Sequence, residues 1–334
     1  MEILIKGQEF LIYLILIMFI TGILKERGYL MDVFKLLEQR VKSKRLVVFL
    51  VSLFGGILPI PGRVAISASM LNAIAPTDRQ KRKKFGVIDY LATHHYYLWS
   101  PLEKTVIIPM AVLGLTYMQF MSYIWPLLLI SGLYIGYYIT SLKEDEIEID
   151  VKDEPINWKN IGLVVLPFLL TILISCVTDY YFAAFTAFTT YLVTYSNSWK
   201  KLLSYINWQL VFIVAGIIIL GNFINSYYSL MESYIKTYNN PKNILVVSVI
   251  SFLVSFLLGS STKYASIVSL LTSVFGMHYF VLFFTLEYSA YLISPSHKCL
   301  PIGQKYFHTG FMTYLKALII WISIMITYAI TTIL

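Results

Sequence analysis

The chain has 334 residues, of which 58% are hydrophobic and only 13% charged, and a net charge of +8. Soluble domains carry about 25% charged residues, so this composition excludes an ordinary soluble domain. Apolar stretches of roughly 17–25 residues recur along the whole length, the signature of a polytopic helical membrane protein. In such a protein Lys and Arg gather in cytoplasmic loops, so the basic excess implies no nucleic-acid partner.

The first apolar segment, residues 8–24, precedes positive charge and has no small-residue cleavage site, so it reads as a retained helix. Residues 25–45 follow, with Leu30, Val33, Phe34, Leu37 and Val41 at helical spacing among basic residues. That pattern predicts an amphipathic arm helix in the membrane interface. Residues 46–75 lie between Lys42, Lys44 and Arg45 on one side and "RQKRKK" (79–84) on the other. A single kinked crossing would put one basic cluster outside, against the positive-inside tendency. A re-entrant hairpin keeps both inside. Its legs would be about 20 Å long at 1.5 Å per residue, short of the ~30 Å hydrocarbon core. The turn falls at "LPIPGR", where Pro59, Pro61 and Gly62 oppose a continuing helix.

Residues 87–115 cross outward, interrupted at Ser100-Pro101, and 117–140 return. The stretch "KEDEIEIDVKDE" (143–154) reads as a solvated acidic connector. Two helices are expected at about 159–178 and 180–197, turning at Asp179, with Lys200 and Lys201 inside. Helix 207–224 goes out, an arm helix covers 225–240, and 243–275 form a second hairpin around "LGSSTK" (258–263) on the outer side. Residues 279–305 return, broken at Ser294-Pro295, and 311–334 go out again. The order helix, hairpin, broken helix, helix thus occurs twice in opposite orientation, the pattern of inverted-repeat transporters. The predicted fold is an all-α polytopic membrane protein. Its first repeat is 1–142, a cytoplasmic linker 143–158, a two-helix insert 159–199 and an inverted second repeat 200–334. The expected location is the cell membrane, with both termini outside.

The two breaks share a motif. "YLWSPLEK" (97–104) and "YLISPSHK" (291–298) repeat Tyr, Leu, Ser, Pro and Lys at a constant offset of 194 residues. A proline opening a half-helix loses no hydrogen bond, and a preceding serine can cap it. Freed backbone groups at membrane depth are tolerated only around a protein-lined or wet cavity. They can meet an anion through N–H groups or Na⁺ through carbonyls. The expected solute site comprises Pro61, Gly62 and Arg63 at the first tip, Gly259, Ser260, Ser261, Thr262 and Lys263 at the second, and Ser100, Pro101, Ser294 and Pro295 at the breaks. Four cations at paired positions, Arg63, Lys263, Lys104 and Lys298, favour an anionic solute, although the last two could snorkel to an interface. Asp89, His94, His95, Glu103, Glu287 and His297 are the ionisable candidates for coupling or charge pairing. His94 and His95 point about 100° apart on a helix, and either could be a packed group.

No resident cofactor is expected beyond Na⁺ as a coupling ion. The histidines lack metal-ligand spacing, no HExxH occurs, and Cys176 and Cys299 read as buried small hydrophobes. Most of the 26 Tyr and 6 Trp read as packing and interfacial-belt residues. Ser100/Lys104 and Ser294/Lys298 have the i,i+4 spacing of a Ser–Lys pair, but the proline between them breaks the helix that would align it. A hydrolase is therefore the weaker alternative, alongside a channel or a non-transporting binding protein.

"YSAYLISPSHKCLPIGQKYF" (288–307) resembles a family of integral membrane proteins called domain of unknown function 401. The resemblance lies in Ser294, Pro295, His297, Cys299, Leu300 and Tyr306-Phe307, with the Gly259-Ser260 tip before them. "LPIPG" (58–62) and "SPL" (100–102) extend it to the first half. That family is grouped with gluconate permeases, citrate carriers and dicarboxylate carriers in the ion transporter superfamily. The resemblance implies two inverted repeats, a homodimer through scaffold helices, an elevator-like motion, and a small carboxylate or gluconate-like solute moved with H⁺ or Na⁺. Thr93-His94-His95-Tyr96-Tyr97 stands where the family pattern has Arg-His and Trp-Glu. The tips are "IPGR" and "SSTK" rather than Ser-Asn-Thr. Substrate identity therefore does not carry over.

Overall fold

A computed structural model describes residues 2–27, 29–57, 63–148, 155–178, 180–194, 199–220, 223 and 240–333, and every regular element among them is helical. The helices are α1 (Glu2–Arg27), α2 (Leu30–Arg40), α3 (Lys44–Ile57), α4 (Arg63–Ile74), α5 (Arg79–His94), α6 (Lys104–Leu113), α7 (Tyr117–Thr140), α8 (Trp158–Ser175), α9 (Tyr180–Thr194) and α10 (Trp199–Ser204). They continue with α11 (Trp208–Leu220), α12 (Pro241–Leu258), α13 (Ser261–Phe275), α14 (Phe280–Ile293), α15 (Cys299–Phe307) and α16 (Phe311–Thr331). The arm helix expected at 225–240 and the first tip, 58–62, lie outside the described residues.

Three described helices, α7, α8 and α16, are long and apolar enough to cross a membrane. Among the described residues the apolar stretches around the Ser-Pro breaks are divided into shorter helices, α5 and α6 at the first and α14 and α15 at the second. Capping marks several starts. Asp78 accepts from the Gln80 and Lys81 N–H groups at 2.8 and 2.9 Å, opening α5 inside the basic cluster. Those N–H groups, Lys81 first, lower the Asp78 carboxyl below its ordinary range. Thr116 and Gln119 form a reciprocal capping box on α7. In α2, Val33, Phe34 and Leu37 are buried, so the amphipathic pattern covers a protein surface.

The α3 and α4 helices fold back on one another. A Cβ on Gly55 would come within 2.6 Å of the Ser67 Cβ, so only a glycine permits the approach. The α3 helix has 14 residues and α4 has 12, or roughly 21 and 18 Å. Both outer ends of the pair meet the start of the acidic segment. The Glu144 carboxylate accepts from the Ser43 hydroxyl and the Lys44 N–H at 2.9 and 3.0 Å. Lys44 donates to the Ile147 carbonyl, and Glu148 N–H donates to the Ile74 carbonyl. Glu146 is buried between Lys81 and Lys84 at 3.9 and 4.0 Å. Lys143, Glu144, Asp145 and Glu148 are exposed, as a solvated connector requires, but Glu144 also caps α3 and buried Glu146 pairs with the basic start of α5, a use that a run of charges does not reveal. Single cysteines at Lys44 and Gln80 are expected to label from the same membrane face. Labelling from opposite faces would contradict the folded-back pair.

Packing ties the two ends of the chain together. The α3 helix packs on α5 and α12 on α14, while α4 packs on α15 and α13 on α6. The α1, α2, α8 and α9 helices form a neighbouring group through the α1–α9, α8–α9 and α2–α8 contacts.

Candidate functional site

Both Ser-Pro breaks are turns of one design. The Ser100 carbonyl accepts from Glu103 N–H at 3.0 Å, and its hydroxyl accepts from Leu102 N–H at 3.3 Å. The Ser294 carbonyl accepts from His297 N–H at 3.1 Å, and its hydroxyl accepts from Ser296 N–H at 3.2 Å. Pro101 and Pro295 are thus second residues of four-residue turns, the position that their fixed φ suits. This corrects the expectation that Ser-Pro directly opens the next half-helix. The α6 helix begins at Lys104 behind a Glu103 cap, and α15 begins at Cys299.

Tyrosine and threonine hydroxyls satisfy carbonyls at the breaks. Tyr117 donates to Trp99 O at 2.8 Å, Thr105 to Tyr97 O at 2.7 Å, and Tyr13 to Pro101 O. Tyr90 donates to Leu292 O at 2.7 Å, and Tyr288 to His94 O at 2.8 Å. The last two bonds join one break to the other. Reading these tyrosines as belt or packing residues missed this role. The only signal was their density around the two motifs.

Two buried carboxyls lie beside the breaks, one in each half. Asp89 on α5 is 1% exposed and faces the Ser52 and Ser67 hydroxyls of α3 and α4. Glu287 on α14 is 0% exposed and accepts from Ser255 of α12, with the Ser251 hydroxyl also beside it. One oxygen of each carboxyl, Asp89 Oδ1 and Glu287 Oε1, lacks a hydrogen-bond partner. Among the described residues neither is within ion-pair distance of a cation. Buried carboxyls are almost always paired, so two such groups in matching settings are a functional signal.

The two histidines at 94 and 95 separate by role. His95 donates to Ala92 O at 2.8 Å and accepts from the Trp99 indole N–H at 3.2 Å, so both its nitrogens are engaged locally. His94 faces across the halves, with its Nε2 3.3 Å from His297 Nε2. The hydroxyls of Tyr97 and Tyr291 meet at 3.0 Å, and the Tyr291 ring stacks on His297 with centroids 4.0 Å apart.

The structure brings Gly259 onto the second break. Its φ is +53°, and a Cβ there would lie 2.7 Å from Ser296 C and 2.8 Å from Ser294 Oγ. Ser260, Ser261 and Thr262 continue that tip into α13. Of the cations in the described residues, Lys263 and Lys298 are exposed and Lys104 is half-buried, whereas Glu103 is buried at the start of α6. Pro61 and Gly62 lie outside the described residues, as does the Arg63 side chain. Of the cysteines, Cys299 is half-buried, whereas Cys176 is exposed at the end of α8, contrary to the burial expected of it.

Over residues 3–334 the sequence matches the family described as Protein of unknown function (DUF401), and the chain belongs to that family. No curated protein matches it.

Proposed function

We propose that this member of the family is a secondary active transporter that moves a small organic anion across the cell membrane together with protons. The observation that carries the reading is the pair of buried carboxyls, Asp89 and Glu287, one in each half and each beside a serine pair and a helix break. A carboxyl in that setting can take and release a proton without an ion-pair partner to displace.

The inverted-repeat reading draws support from the packing. Matching helices pair within each half, α3 with α5 and α12 with α14, and across the halves, α4 with α15 and α13 with α6. In this reading α3–α4 and α12–α13 are re-entrant hairpins, and the 14- and 12-residue legs of the first are too short to span. The breaks and tips form the solute path, and Arg63 and Lys263 at the tips meet the solute's charge. Alternating access moves this core as an elevator against scaffold helices that form a homodimer. Both termini lie outside.

A thermal-shift screen of detergent-purified protein tests it. Mono-, di- and tricarboxylates, gluconate, inorganic oxyanions and neutral controls are each added in Na⁺ and in K⁺ at two pH values. A ligand at 100 times its Kd adds about 2.7 kcal/mol. The expected result is stabilisation by one class of organic anion, equal in Na⁺ and K⁺ and dependent on pH. Stabilisation by a neutral or lipidic compound alone would overturn the anion reading, and dependence on Na⁺ would overturn the proton.

A further inference from the structure

We infer that His94, His297 and Cys299 form a site for a thiophilic transition-metal ion that joins the two helix breaks. The His94 and His297 imidazole nitrogens and the Cys299 sulfur all lie within 4.8 Å of one another. They come from opposite halves: His94 ends α5, while His297 and Cys299 lead into α15.

The hydrogen bonds determine what these nitrogens present to each other. Backbone carbonyls only accept. His94 Nδ1 lies 2.6 Å from Tyr90 O, so it carries the ring proton and donates it. The Tyr90 hydroxyl has one proton, directed to Leu292 O at 2.7 Å. His297 Nδ1, 2.9 Å from that hydroxyl, then donates to its oxygen. With the proton on Nδ1 in both rings, Nε2 is the nitrogen that each turns toward the other, at 3.3 Å. A cation between them can be coordinated by both. A second-shell acceptor on the distal N–H is also the usual support of a metal-bound histidine.

The spacing fits. Two metal–nitrogen bonds of about 2.0–2.1 Å at a tetrahedral angle place the nitrogens about 3.3–3.4 Å apart. The same geometry asks about 3.6 Å between sulfur and nitrogen, so the thiol moves in by little more than about 1 Å from its 4.8 Å limit. Imidazole and thiolate donors select Zn²⁺ or Cu⁺ over Mg²⁺ or Ca²⁺. On binding, the Cys299 thiol releases its proton to solvent as the metal–sulfur bond forms. Three protein ligands leave a tetrahedral ion one open position. Such an ion would hold α5 and α15 at a fixed separation.

The test is cobalt titration of full-length, chelator-stripped protein in detergent, followed by absorption, with Zn²⁺ competition. The expected result is visible tetrahedral d–d bands plus a near-ultraviolet thiolate-to-cobalt band, both abolished by one equivalent of Zn²⁺. Cys299→Ser should lose the thiolate band. His297→Gln should weaken Zn²⁺ binding by at least about tenfold, no less than loss of a supporting residue does. Cys176→Ser should change neither. Absence of the thiolate band in wild type, or its survival in Cys299→Ser, would overturn the assignment. If His297→Gln does not fold, the Cys299→Ser spectrum decides alone.

Discussion

Asp89→Asn and Glu287→Gln are each expected to abolish gradient-driven solute accumulation in proteoliposomes, down to the level of protein-free vesicles, while leaving the protein folded. The amides match the carboxyls in shape and keep the serine hydroxyls as partners. Exchange of one neutral hydrogen bond for another costs about 1 kcal/mol or less, so neither variant should unfold. What the amides cannot do is take up and release a proton. Exchange of labelled solute across the membrane needs no net proton movement and should survive. A variant that loses exchange and accumulation equally would show a carboxyl holding the solute instead. Full accumulation by either variant would remove that carboxyl from the coupling role.

The second large effect is at Gly259. Gly259→Ala is expected to cost about 2–5 kcal/mol, combining a left-handed backbone penalty of about 1–2 kcal/mol with overpacking of about 1–3 kcal/mol. The added Cβ would meet Ser296 C at 2.7 Å and His297 N at 2.9 Å, both backbone atoms that cannot swing aside. Gly114 is an internal control. Its φ is +67°, yet nothing lies within 4 Å of a Cβ there, so Gly114→Ala should cost the backbone penalty alone. Thermal unfolding of the two variants in the same detergent checks the difference. Equal destabilisation would mean that the tip does not rest on the second break.

Much of the architecture was legible because local chemistry dictates it. Pro59, Pro61 and Gly62 oppose a continuing helix; they lie outside the described residues, and α3 and α4 on either side fold back on one another. The Ser-Pro repeats marked both interruptions, since a proline with a serine before it specifies a turn almost unaided. Asp89 and Glu287 stood out as acids in apolar surroundings. Their partners did not, because Ser52, Ser67, Ser251 and Ser255 reach them only through helix packing. His94 and His297 are 203 residues apart, so no spacing rule could pair them, although His297 and Cys299 were noticed singly. The acidic segment is largely exposed, as a charge run usually is, but its sequence did not show the specific partners of Glu144 and Glu146, which are Ser43, Lys44, Lys81 and Lys84. The paired-cation pattern pointed to an anion, yet exposure of Lys263 and Lys298 moves the buried chemistry onto carboxyls, imidazoles and phenols.

The most direct test of the account is proton movement into proteoliposomes loaded with a pH-sensitive dye. The external solution would carry, in turn, each anion that stabilises the purified protein, in K⁺ buffer without Na⁺. The account predicts lumenal acidification that begins on adding the anion, requires the protein, and disappears in Asp89→Asn and Glu287→Gln. Anion uptake with no change in lumenal pH, or acidification unchanged in both variants, would contradict it.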